Sequence, residues 1–296
     1  MRLSAIRERV AADTVRLAPK TLFSEAVGWG ARVTVPRPLR ARAYTAFARV
    51  VGASLDEVEL PLSEYRSLGS FFARRLRPGA RDVANDPGIG VSPCDGRVAS
   101  AGEAEGGRMI QAKGHDYGLA DLLVDPELSA ALDGGAYVTI YLSPRDYHRV
   151  HSPCDGELYG YDYVPGTLFP VSPRWAARVP NVFARNERVV MHMRGELGRF
   201  ALVMVGAAGV GNMALAHDGV STRSWRGAGR DPIRVRYDEP IPVARGDELG
   251  CFQLGSTVVL VFEPRRVRIR VCDGDVVRFG QPLAAPRRAS REGAAA

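Results

Sequence analysis

A chain of 296 residues with 46% hydrophobic composition can bury one large core and a smaller appendage, and its 40 basic residues outnumber its 33 acidic ones by seven. The excess is local: residues 1–50 hold ten Arg or Lys against three acids, leaving the remainder balanced at 30 against 30. With no nucleic-acid-binding motif in that balanced remainder, no nucleic-acid partner is expected; nor is a transmembrane helix, since no run of 18 apolar residues occurs, nor a signal peptide, since residues 1–10 are polar and charged.

Residues 1–52 read as two or three short helices, interrupted at Gly28-Trp29-Gly30 and at Pro36-Arg37-Pro38. Tyr44, Phe47 and Val51 share one helical face, with Arg42 and Arg49 beside them. Such a basic, aromatic face suits an anionic membrane surface; packing on the core is the alternative for the same face. Residues 63–77 predict a further helix stopped by Pro78-Gly79. From about residue 88, short apolar runs alternate with Gly, Pro and Asp turns, which is the pattern of β structure. Strands are predicted at 136–142, 188–193, 200–205, 257–262 and 267–271, and the tail from Ala284 reads as frayed. The fold class expected is α+β: a mainly-β, barrel-sandwich-like core with an internal repeat, preceded by N-terminal amphipathic helices. The divisions expected are a basic helical segment at 1–60, a core at 61–283 and a flexible tail at 284–296.

The repeat rests on Ser-Pro-Cys-Asp-Gly, which occurs at 92–96 and again at 152–156, with a looser echo at Val271-Cys272-Asp273-Gly274. Each Asp-Gly pair is a turn signal, so Asp95 and Asp155 both read first as turn aspartates. The residues after the third copy, 275–283, resemble the hairpins of biotinyl and lipoyl carrier folds. Cys94, Cys154, Cys251 and Cys272 lack metal-ligand spacing and read as apolar filler, so no metal site is expected.

Leu254-Gly255-Ser256-Thr257 carries a different chemistry. Alone, Gly-Ser reads as a turn. Glycine also frees the backbone, so that the hydroxyl of Ser256 could attack the carbonyl carbon of Gly255. That N-to-O shift makes an ester, and β-elimination of the ester would cut the chain and leave a ketone derived from Ser256. The reaction needs a base with an orienting partner. The candidates lie in Ser92-Pro93-Cys94-Asp95-Gly96 and in the block Tyr141-Leu142-Ser143-Pro144-Arg145-Asp146-Tyr147-His148-Arg149-Val150-His151. If the block is extended, His148 and His151 face opposite sides; if it turns helically, they share a face. His115, His192 and His217 read as ordinary core or surface residues.

These motifs together resemble phosphatidylserine decarboxylase of the bacterial, membrane-associated type. Further matches are residues 70–81 (Ser-Phe-Phe-Ala-Arg-Arg-Leu-Arg-Pro-Gly-Ala-Arg), residues 179–188 and Val205-Gly206-Ala207, so the resemblance spans about 65–280. It implies a zymogen that cuts itself between Gly255 and Ser256 into a β chain, 1–255, and an α chain, 256–296. It implies Ser256 as nucleophile and then as the pyruvoyl cofactor that forms a Schiff base with the substrate, His151 as base for the cut, and Asp95, in the first copy of the repeat, as its orienting carboxylate. His148 becomes the proton donor in decarboxylation. The implied reaction turns phosphatidylserine into phosphatidylethanolamine and CO2, in phospholipid biosynthesis. The implied partners are that lipid, an anionic membrane surface at the cytoplasmic face of the cell membrane, and the two chains held together; a homodimer of αβ units is compatible with it. The segment 164–169 is a candidate pocket loop, and Lys113 a candidate phosphate contact.

Three readings compete. A Ser-His-Asp hydrolase would need the Gly-x-Ser-x-Gly elbow, which Leu-Gly-Ser-Thr-Val lacks. A carrier domain would need a hairpin lysine, which the Gly-Asp hairpins lack. A pyruvoyl enzyme for a soluble amino acid would not need the basic N-terminal segment.

Overall fold

A computed structural model describes residues 33–112, 115–207, 212–225, 227, 229–253 and 256–287. The helices expected before residue 33, Lys113, and the Leu254-Gly255 half of the Leu-Gly-Ser-Thr motif lie outside the described residues.

Helix α1 (Arg37–Val51) accepts Pro38 in its first turn, where no N–H is needed, and stops at Gly52, whose φ of 76° lets its N–H cap the carbonyl of Ala48. Tyr44 and Ala48 are buried on it. The Tyr44 ring stacks on Phe71 at 5.0 Å, and its hydroxyl donates to the Tyr65 carbonyl at 3.1 Å. The face expected to meet a membrane is therefore packed on the protein, because Phe71 and Tyr65 offer it an apolar partner. Only Leu39 and Val50 are exposed large apolar residues on this helix.

The helix expected over 63–77 shrinks to α2 (Leu68–Phe72). Ser67 and Ser70 form a capping box that sets its start. Its continuation is pulled into extended pairing instead: Leu76 bridges Val58, Glu59 N–H donates to the Arg75 carbonyl and Arg77 N–H to the Glu57 carbonyl.

The β region begins with β1 (Gly90–Val91), β2 (Gly96–Glu103), β3 (Arg108–Ala112) and β4 (His115–Gly118). Helices α3 (Leu119–Leu123) and α4 (Pro126–Leu132) follow, then β5 (Ala136–Leu142), β6 (Arg149–His151) and β7 (Gly156–Val164). Short helices α5 (Pro173–Ala176) and α6 (Val182–Arg185) precede β8 (Arg188–Gly195), β9 (Gly198–Val205), β10 (Met213–Leu215) and β11 (Ile233–Val243). The chain then forms β12 (Glu248–Phe252), β13 (Ser256–Phe262), β14 (Val267–Ile269), β15 (Val276–Val277) and β16 (Pro282–Pro286). The last of these continues through Ala284 to Pro286, paired with β1 and β14, where the sequence suggested fraying.

Eight strands make one antiparallel sheet in the order β11-β7-β8-β9-β13-β5-β2-β15. Strand β13 is central and buried along its whole length, which accounts for its unbroken apolar run. One face, with Val258, Leu260, Phe262 and Ile140, lies against the small sheets β10-β12-β6 and β1-β16-β14. The other, with Val259, Val261 and Val203, lies under α3, α4 and α6. The architecture is layered α+β, but among the described residues the large sheet does not close into a barrel. Its edge β15 is only two residues long, and the chain then leaves for a different sheet.

The repeated peptides adopt matching hydrogen bonds. Ser92 and Ser152 each donate to the carbonyl two residues on, Cys94 and Cys154, at 2.7 Å. The copies also cross-bond: Val91 N–H donates to Pro153, and His151 N–H to Pro93, at 2.9 and 2.8 Å. Asp95 accepts the N–H of Phe279 at 2.8 Å, while Asp155 accepts that of Arg245 at 2.7 Å. The following glycines, Gly280 and Gly246, have φ of 87° and 88° and donate to Ser92 and Ser152. Both aspartates are thus turn organisers, and the copies differ in what the turn presents: a Phe ring in one, an Arg in the other.

Candidate active site

Ser256 opens β13 directly opposite Leu142, the last residue of β5. From Leu142 the chain turns tightly: Asp146 accepts both the N–H and the hydroxyl of Ser143, at 2.7 and 2.6 Å. That turn delivers His148, whose carbonyl accepts the N–H of Phe252 at 2.9 Å. Phe252 lies four residues before Ser256. The strand pair at one end and the Phe252–His148 bond at the other tie together the two segments that carry the serine and the first histidine.

Both side chains are fully buried, and among the described residues both carry an atom without a hydrogen-bond partner: Oγ of Ser256 and Nε2 of His148. A buried hydroxyl without a partner costs about 1–3 kcal/mol and calls for a functional explanation. His148 donates from Nδ1 to the Asp146 carbonyl at 2.8 Å, which leaves the lone pair on Nε2. Its ring packs on Phe72, centroids 4.2 Å apart. Burial, reinforced by the charge of Arg74, pulls its pKa down to about 3.

His151 points elsewhere, as the extended alternative requires. Its Nδ1 donates to the Gly246 carbonyl at 2.8 Å, and its Nε2 accepts from the Tyr147 hydroxyl at 3.0 Å. Burial pushes the Tyr147 phenol up, keeping it protonated. The imidazole stacks on Phe279 at 3.8 Å and 18°, and burial lowers its pKa to about 4.

Asp95 is where the expected arrangement differs most. Its oxygens accept from Phe279 N–H and from Arg81, each at 2.8 Å, and it makes no hydrogen bond to His151. The carboxylate reaches the imidazole only through Phe279, whose backbone it holds and whose ring covers His151. The tautomer of His151 is set by the Gly246 carbonyl instead. Ser256, His151 and Asp95 are not joined in a hydrogen-bonded triad. Tyr147, Phe279, Gly246 and Arg81 are given no role by the sequence; Tyr147 and Arg81 fall inside the matched segments, and Phe279-Gly280 and Arg245-Gly246 meet the repeated Asp-Gly copies only in the fold.

Asp125, Asp162 and His192 bring potential metal-ligand atoms within 4.8 Å of one another. Arg236 already donates to both carboxylates, at 3.0 and 2.8 Å, and His192 pairs with Asp162 at 2.8 Å, so the group is satisfied internally.

The buried neutral histidines imply acid sensitivity. Both folded pKa values lie below the ordinary 6.5, so below that pH the unfolded chain binds protons the folded chain refuses. Their contribution is complete above about 6.5 and is lost as pH falls toward about 4 and about 3. Each contributes about 1.4 kcal/mol per pH unit within its window. Urea unfolding of the Ser256→Ala protein at pH 7 and 5 should show this loss. Replacing both histidines by Gln should flatten it; an unchanged slope would contradict the burial account.

A family model described as phosphatidylserine decarboxylase matches residues 68–285. The phosphatidylserine decarboxylase proenzyme of Anaeromyxobacter sp. (strain K) is 45% identical over 280 residues, which is 94% of this chain and 99% of that protein. The proenzyme of Myxococcus xanthus is 41% identical over 254 residues, 86% of this chain and 89% of its own. That of Pseudomonas aeruginosa (strain UCBPP-PA14) is 40% identical over 295 residues, 96% and 100%.

Proposed function

The chain belongs to the phosphatidylserine decarboxylase family, and from that premise we propose that it matures by cutting itself between Gly255 and Ser256 and then converts phosphatidylserine to phosphatidylethanolamine and CO2. The observation that carries the proposal is the buried, unpartnered Oγ of Ser256 at the head of a central strand. In a hydrolase that hydroxyl would be bonded to its base; here it is held dry and free beside the bond to be broken.

In the cut, Oγ attacks the carbonyl carbon of Gly255 while its proton leaves to a base. The C–N bond breaks, the amine takes up a proton, and an ester remains. Removal of the Cα proton of Ser256 then expels the Gly255 carboxylate, and hydrolysis of the resulting enamine releases ammonia and leaves the pyruvoyl ketone. His151 is the proposed base, held in one tautomer by Gly246, with Asp95 fixing the ring that covers it. Its Nε2 is engaged by Tyr147 and becomes available when that hydroxyl turns away.

The residues fit the cofactor: among the described residues the Ser256 hydroxyl from which it would derive has no hydrogen-bond partner. The ketone would bind the substrate amine and accept the electron pair released with CO2. His148 is neutral, with a free Nε2. It would take a proton from the substrate's ammonium and return it to the carbon that lost CO2. The buried apolar residues next to it in the chain fold, Leu142, Val150 and Phe252, would keep water from that exchange.

Among the described residues no helix is long and apolar enough to cross a membrane. We propose peripheral attachment at the cytoplasmic face, driven by the charge of residues 1–32, which carry six basic side chains against three acids. The test is CO2 release from phosphatidylserine vesicles against free serine. The full chain should act on the lipid and not on serine, and deletion of 1–32 should weaken binding to anionic vesicles. Equal turnover of serine would contradict the lipid assignment, and vesicle binding unchanged by the deletion would contradict the role of 1–32.

A further inference from the structure

A cavity of about 280 Å³ borders the site from the side of Tyr147. Its walls come from the end of α1 (Gly52, Ser54), the strand after α2, the Asp95 turn, and the Arg145-Asp146-Tyr147 segment that runs directly into His148. Four arginines line it: Arg74, Arg81, Arg145 and Arg278. Three carboxylates oppose them, Glu57, Asp95 and Asp146, leaving one positive charge.

That surplus can be assigned to a residue. Arg81 bonds Glu57 and Asp95; Arg278 shares Glu57 at 3.8 Å; Arg145 lies 3.6 Å from Asp146. Among the described residues Arg74 pairs with no carboxylate. Only 4% of it is exposed, its Nη2 donates to the carbonyls of Arg145 and Asp146 at 3.2 and 3.4 Å, and its guanidinium lies 5.1 Å from the Phe71 ring centre. Its Nε has no partner, and neither has that of Arg81. Asp95 and Asp146 act on Arg74 only at a distance, without a direct ion pair; a buried guanidinium without a directly paired anion is costly, and the cavity beside it is where such an anion would sit.

We propose that this cavity receives the phosphodiester of the lipid headgroup, with Arg74 as its principal cation and Arg278 at its rim. The proposal rests on phosphatidylserine as the substrate. A phosphodiester carries the single negative charge that the cavity lacks and presents two oxygens to guanidinium donors. The substrate's carboxylate is the poorer occupant. An arginine paired to the group that leaves as CO2 would stabilise the ground state and slow the reaction. The surroundings agree with an occupant that continues into lipid: Val276 in the cavity wall is 56% exposed, and Val50, two residues before Gly52, is 86% exposed.

The test uses the uncut Ser256→Ala protein and calorimetric titration with glycerophosphoserine, inorganic phosphate and serine. Glycerophosphoserine should bind, Arg74→Gln should weaken it about 10–100-fold, and Arg278→Gln should weaken it less. Serine should show no dependence on either arginine. Glycerophosphoserine binding unchanged in the folded variants would overturn the proposal; if Arg74→Gln does not fold, Arg278→Gln decides alone. Inorganic phosphate binding as tightly as glycerophosphoserine, with the same arginine dependence, would assign the cavity to free phosphate and overturn the headgroup. Turnover of the lipid by the wild type separates this from the reading it rests on. An active wild type with arginine-independent binding removes the cavity alone, and arginine-dependent binding in a chain that never decarboxylates removes the reaction alone.

Discussion

Ser256→Ala is expected to yield a single uncut chain with no decarboxylase activity. The substitution removes one atom, the Oγ that is buried without a hydrogen-bond partner at the head of β13. Among the described residues no hydrogen bond depends on that atom, so the variant should fold as well as the parent, and relief of a desolvated hydroxyl should add about 1 kcal/mol. The effect on function is total, because both the nucleophile and the source of the ketone are gone. A denaturing gel, a urea titration and CO2 release on one preparation separate these statements. An active Ser256→Ala protein would remove the pyruvoyl mechanism, and an unfolded one would show that the hydroxyl has a structural role.

His148→Ala is expected to separate maturation from turnover. His148 offers the only free imidazole nitrogen of the block, since both nitrogens of His151 are bonded. If its work is proton delivery after CO2 leaves, the variant should still yield two chains and lose turnover by roughly 10²–10⁴-fold, the usual contribution of a positioned acid or base. Removing the ring also uncovers Phe72, so His148→Gln serves as the control for packing. An uncut His148→Ala protein would give this nitrogen the role of cleavage base. Near-normal turnover would show that it serves neither step.

The strands and the repeat were legible in the sequence, for identifiable reasons. Strand β13 is buried on both faces, so its composition has no polar interruption after Thr257. The repeat was legible because both turns need the same Ser, Asp and Gly chemistry. What the repeat hid was the contact of Asp95. An aspartate in an Asp-Gly turn satisfies nearby backbone first, here Phe279 N–H, and its second oxygen went to Arg81 rather than to a histidine. The helix over 63–77 failed because pairing of 75–77 with 57–59 outweighs the propensity of an isolated turn. The aromatic face of α1 was read as a membrane face, since a sequence cannot tell an apolar partner in lipid from one in Phe71 and Tyr65.

If Ser256 is consumed to make the cofactor, intact mass of the purified wild-type chain shows it most directly. Two species should appear, corresponding to residues 1–255 and 256–296. The smaller should lack a free amino terminus, match a pyruvoyl group in place of serine, and shift in mass with a carbonyl reagent. A single mass for all 296 residues in a preparation that releases CO2 from phosphatidylserine would contradict the account.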